Sequence, residues 1–194
     1  LFVQSSVNSF DHVLVEGNSA AANADPLVYD MMAAFYTACS SFIAQNFGAR
    51  KKKRILQTYL ICLFYSFITS LVLGVGIYLA RYPFLYLFTS DKAVVEAGIT
   101  RLSIMALSYS ASAFMDASIA ASRGLGKTAV PTFVVVMGSC VFRIIWIYTI
   151  FAYFHTIQSL YILYVFSWGI TAIAENIYFF HVYRHTLTEK KELC

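Results

Sequence analysis

The 194-residue chain is 59% hydrophobic and only 12% charged, with mean hydropathy +0.67 and a formal net charge of +4. Water-soluble domains carry about a quarter charged residues, so this composition excludes an ordinary soluble fold and points to lipid as the solvent. The four cysteines, Cys39, Cys62, Cys140 and Cys194, show no metal-ligand spacing and read as small apolar residues, not as a zinc site or disulfide framework.

The expected architecture is all-α, a polytopic bundle of five complete membrane spans and one partial one, forming a single transmembrane domain over residues 1–194. The chain opens on Leu1 inside an apolar stretch, with no signal peptide visible, and reads as a fragment of a longer protein. The partial span is expected at about Leu1–Ala21. The complete ones follow at Pro26–Phe47, Ile55–Ala80, Ala97–Ser122, Thr128–Phe154 and Ser159–Tyr183. Residues 55–80 hold no charge, and about 20 apolar residues cross a bilayer. Pro26 and Pro131 stand near helix starts, where a missing N–H costs nothing. After Arg81, Pro83 interrupts the apolar run, so "YPFLYLFTS" reads as an interfacial segment.

Charge sets the expected orientation. Arg50–Arg54, then Arg123 and Lys127, then Arg184, Lys190 and Lys191 fall on alternate loops. The opposite loops hold only Arg81, Lys92 and Arg101, mixed with Asp25, Asp91 and Glu96. Cytoplasmic loops are enriched in Lys and Arg, which puts the first set and the C-terminus in the cytoplasm. The basic run therefore reads as a topology determinant and not as a nucleic-acid site. "ASRGLGKT" at 121–128 resembles a phosphate-binding loop, but it follows a membrane helix and not a β-strand, so ATP chemistry is not expected.

Among the ionisable residues inside the expected spans, three stand out: Asp116, Arg143 and Glu175. Each costs roughly 2.5–3.5 kcal/mol to insert at a helix centre, so each is a functional candidate. Asp116 lies seven residues before Arg123 and Glu175 nine before Arg184, placing both carboxylates roughly 10–13 Å from the cytoplasmic end. Arg143 lies roughly 24 Å in from Lys127. Two readings stay open. The carboxylates can hold a proton, a sodium ion or a cationic drug in turn, with Arg143 as partner or cavity group, or they can form ion pairs that fix packing. Gln4, Asn8 and Asp11, with His12, recur at helical spacing and suggest a cavity-lining face, although an early end to the span would leave them interfacial. His181 and His185 are four apart but lack a third metal ligand.

"FYTACSSFIAQNFGARKKKR" resembles the signature of the multidrug and toxic compound extrusion (MATE) family, in which a helix ends in a Gln-Asn-x-Gly-Ala stretch followed by basic residues, here Gln45, Asn46, Gly48, Ala49 and Arg50. "LFVQSSVNSF" with "VEGNSAAAN" is similar to the end of that family's seventh helix, "SRGLGKT" to the loop after its tenth and "VFRIIWIYTIF" to its eleventh. The resemblance implies a twelve-helix transporter of two six-helix lobes, of which this chain is the second, so the missing N-terminal lobe is a partner. It implies export of amphipathic or cationic compounds in exchange for H+ or Na+, with no other cofactor and no catalysis, and it favours Asp116 as the acidic residue of the tenth helix. A prokaryotic inner membrane is the expected location. Asp11, Glu16 and Asp30 depart from the family pattern. Alternatives are a lipid-linked oligosaccharide flippase using Arg143 and, from another class, a membrane-embedded enzyme.

Overall fold

The computed structural model describes residues 2–185. Leu1, Lys190, Lys191 and Cys194, used above, lie outside the described residues. The order is α1 (Phe2–Val7), α2 (His12–Ala22), α3 (Ala24–Gly48), α4 (Lys52–Leu79), α5 (Arg81–Tyr86) and α6 (Lys92–Gly124). Then comes a rod of three α segments, α7 (Ala129–Val136), α8 (Phe142–Trp146) and α9 (Ala152–Phe154), joined by π-helical turns at Met137–Val141 and Ile147–Phe151. The last element is α10 (Ile157–His185).

Among the described residues, five stretches are long and apolar enough to cross a membrane: His12–Gly48, Lys52–Leu79, Lys92–Gly124, Ala129–Phe154 and Ile157–His185. The number of complete spans is the expected one, but the first boundary moves. The partial span does not reach Ala21. It stops at Val7, and Asp11 then caps a new helix by accepting from the His12 N–H at 2.8 Å. A carboxylate at an N-cap satisfies a donor that the helix leaves open, which is why the chain breaks there and not at Pro26. Pro26 falls in the first turn of α3, where it is tolerated. α2 and α3 follow one another through Asn23, whose backbone is near-helical (φ −65°, ψ −14°), and both run along α6.

α6 is the central post, 33 residues long and packed by α2, α3, α4 and α10. It starts at Lys92, five residues ahead of the expected Ala97, because Asp91 caps it by accepting from the Ala93 N–H at 2.8 Å. Lipid offers no hydrophobic drive between helices, so association depends on close backbone approach and polar contacts. Small residues supply the approach. A Cβ on Gly74 of α4 would overlap the Ala106 carbonyl oxygen of α6, and one on Gly17 of α2 would sit 2.7 Å from the Ala97 Cβ.

The polar contact differs from the expectation that Arg101 and Asp25 are loop charges. Arg101 is buried within α6, donating to Asn18 Oδ1 of α2 at 2.7 Å and to Asp25 Oδ2 of α3 at 2.5 Å. Tyr109 donates to the other Asp25 oxygen at 2.5 Å. One guanidinium thus bridges both sides of the α2–α3 junction. Its planar fork suits this bidentate task in a way an ammonium would not.

Two outcomes test this packing, both by thermal unfolding in detergent. Gly74→Val is expected to cost about 3 kcal/mol or more through overpacking, whereas Gly76→Val, where no atom lies within 4 Å of an added Cβ, leaves stability unchanged. Arg101→Met should cost about 3–5 kcal/mol by stranding a charge, and Arg101→Met with Asp25→Leu should recover most of that loss.

Candidate functional site: an acidic cavity between α3 and α6

Residues spaced three and four apart face one way on a helix. On α3 that spacing aligns Asp30, Ala33, Thr37 and Ser41, and on α6 it aligns Asp116, Ile119, Ala120 and Arg123. The two faces meet across a cavity of about 660 Å³, with Tyr29 and Tyr36 on its wall and Val135 of α7 at its edge. Its charged groups are Asp30, Asp116 and Arg123. Asp30 and Arg123 are exposed, and Asp116 is half-buried. Among the described residues the ion pairs are Arg101–Asp25 and His12–Glu16, so neither cavity carboxylate is neutralised by a bonded cation.

Glu175 behaves differently. It is 0% exposed, and neither carboxylate oxygen has a hydrogen-bond partner among the described residues. A buried polar group without a partner is costly, and such exceptions call for an explanation in function or in a bound ion. Arg123 stands within electrostatic reach of both Asp116 and Glu175. Of the two carboxylates that the sequence singles out, Asp116 thus lines an open cavity and Glu175 is sealed from solvent.

Arg143 is committed elsewhere. Its Nε donates to Ser167 Oγ at 3.2 Å, Ser167 donates onward to the Gly138 carbonyl at 2.8 Å, and the guanidinium stacks 4.4 Å from the Tyr164 ring centre. It fastens the rod of α7–α9 to α10 between the two π-helical turns and pairs with no carboxylate among the described residues. Gln4 Nε2 donates to Asn8 Oδ1 at 3.0 Å, so those two do share a face. Asp11 leaves that face because the chain turns before it. None of Gln4, Asn8 and Asp11 lines the acidic cavity.

Asp30 is a site residue that sequence reasoning misses, although its seven-residue spacing from Thr37 within an apolar helix is the available signal. Asp25 is missed because it precedes a proline and looks like a loop residue. The aromatic wall is not assignable from sequence. Tyr29 stands edge-on to Tyr109 and to Trp168, each at 6.1 Å between ring centres. It thereby links the cavity wall to Tyr109, which bonds Asp25.

A family model described as MatE matches residues 1–149, more than half of the chain. This chain belongs to the MATE family. Its fold is that of solved MATE structures: crystal structures of the Vibrio cholerae MATE transporter VcmN, one of a point mutant and one in the bent form, each match with TM-score 0.84 at 19% identity. Each match covers 94% of this chain and 42% of that one. A MOP superfamily transporter from Pyrococcus furiosus, described as having a binding pocket of reverse polarity, matches with TM-score 0.73 at 18% identity over 96% of this chain and 45% of its own. No curated protein matches. This MATE chain spans less than half the length of these structures. It is a multi-pass membrane protein, and its family is one of transporters, not enzymes.

Within this MATE chain the Arg143 contacts generate a test of their own. Arg143→Ala and Arg143→Lys should both lower thermal stability in detergent, the alanine variant by about 1–2 kcal/mol. Lysine should rescue little, because the stacked planar group is what the site uses. Full rescue by lysine would show that charge alone matters there.

Proposed function

We propose that this chain forms one lobe of a MATE-type antiporter that exports amphipathic or cationic compounds in exchange for H+ or Na+. The observation that carries the reading is the cavity of about 660 Å³ that places Asp30 and Asp116 beside Tyr29 and Tyr36. Carboxylates inside a membrane face something other than lipid, and aromatic faces attract organic cations. An organic cation and a coupling ion that compete for Asp116 exchange without further machinery, since occupancy by one expels the other. Alternating access then needs a second lobe rocking against this one around a shared site. Glu175, sealed and without a bonded partner among the described residues, serves as the inner holding site for the coupling ion, with Arg123 within electrostatic reach of both it and Asp116.

On this reading the protein lies in the plasma membrane, the prokaryotic inner membrane among them, with the Arg50–Arg54 link and the C-terminus in the cytoplasm. The distribution of Lys and Arg supports that orientation. The flippase reading draws nothing from Arg143, whose guanidinium is already occupied by Ser167 and Tyr164.

Ethidium efflux from cells expressing the full-length protein tests the assignment. Asp116→Asn is expected to slow efflux at least about tenfold while leaving membrane abundance unchanged, the loss of one charge-assisted contact being worth about that factor. Glu175→Gln, which keeps shape and removes the charge, should slow efflux without weakening ethidium binding. Efflux at the parent rate in both variants removes these residues from transport.

A further inference from the structure

We infer that the link between α3 and α4 is a binding site for the headgroup of an anionic phospholipid. The inference rests on the charge and geometry of that link and does not depend on what the protein transports. Five consecutive residues, Arg50, Lys51, Lys52, Lys53 and Arg54, are all basic. Arg50, Lys51, Lys53 and Arg54 are exposed. Such a run repels itself unless anions lie against it.

The protein supplies no such anion at this end among the described residues. Neither described ion pair involves the link. Among the described residues, the carboxylates nearest this end lie inside the spans: Asp116 seven residues before Arg123, and Glu175 nine before Arg184. Lys53 and Arg54 also occupy the first turn of α4, which contains no acidic residue. The helix macrodipole makes that position unfavourable for cations. Among the described residues the charge is therefore uncompensated by any ion pair or by local helix structure.

The link is also held in place. Arg50 adopts a left-handed backbone (φ 55°), and the Lys51 N–H closes the turn onto the Asn46 carbonyl at 2.9 Å. Lys52 turns away from the others. Its Nζ donates to the Arg184 carbonyl at 3.3 Å and lies 5.2 Å from the centre of the Tyr183 ring, while the Tyr183 hydroxyl donates to the Lys52 carbonyl at 3.4 Å. One lysine thus docks the link to the end of α10, and the other four cations are presented outward from a fixed turn between two membrane helices. A fixed group of cations at the level where a span leaves the bilayer matches a phosphodiester headgroup, and clusters of this size beside a span attract anionic lipid.

The test is lipid retention by the full-length protein carrying this chain, purified in mild detergent and mixed with phosphatidylglycerol or phosphatidylcholine, read by native mass spectrometry. Phosphatidylglycerol should be retained at least about fivefold over phosphatidylcholine, and Lys53→Gln with Arg54→Gln should abolish that preference. This pair leaves Arg50, Lys51, Lys52, Arg123 and Lys127 to maintain orientation, and its melting temperature without lipid checks that it folds. If it does not fold, Lys53→Gln alone is read in its place. Lys92→Gln, at the opposite end of the bundle, should keep the preference. Equal retention of the two lipids, an unchanged preference in the link variants, or equal loss in Lys92→Gln overturns the proposal. Stabilisation by inorganic phosphate equal to that by phosphatidylglycerol overturns it in favour of a soluble anion.

Discussion

Arg101 reaches from the central helix α6 to both sides of the junction between α2 and α3, holding Asn18 with one nitrogen and Asp25 with another. The rest of the bundle depends on that contact. A buried ion pair contributes little net stability, since desolvation offsets attraction, but it is costly to break, and its geometry admits few alternatives. Here it sets the register in which α2 and α3 lie along α6. That register places Asp30 opposite Asp116 and opens the cavity between them. Tyr109, bonded to the second Asp25 oxygen, carries the constraint to Trp168 and to Tyr29, which lines the cavity.

Inside a bilayer a polar group is either satisfied by protein or exposed to a water-filled space. The intramembrane carboxylates sort on this criterion. Asp25 is satisfied on both oxygens. Asp30 and Asp116 face a cavity. Glu175 has neither solution among the described residues. Structure explains the first group completely, and the residues it does not explain are those to which the antiport reading assigns ions.

A second constraint shapes the rod of α7–α9. Its π-helical turns widen the helix at Met137–Val141 and Ile147–Phe151, and such turns are frequent at functional sites. Between them Arg143 is fixed to α10 by Ser167 and Tyr164, and Gly138 lies so close to Thr171 that a Cβ there would overlap its hydroxyl oxygen. An arginine at this depth is therefore a fastener between two spans, and the wider turns accommodate it.

Much is legible in the sequence because it depends on local chemistry. Uncharged runs such as 55–80 must meet lipid, so the number of complete spans and the alternation of basic links follow from composition and order alone. The Gln45–Arg50 motif carries the family. Asp116 and Glu175 stand out because charge within an apolar run is conspicuous without any fold. What needs the tertiary structure is pairing between distant residues. Asp25 and Arg101 sit near span ends and look like loop charges until α6 lies beside α3. Asp30 becomes a site residue only when its face meets that of Asp116, across 86 positions of sequence. Side chains choose partners through space, and helical spacing along one chain specifies a face without specifying what that face meets.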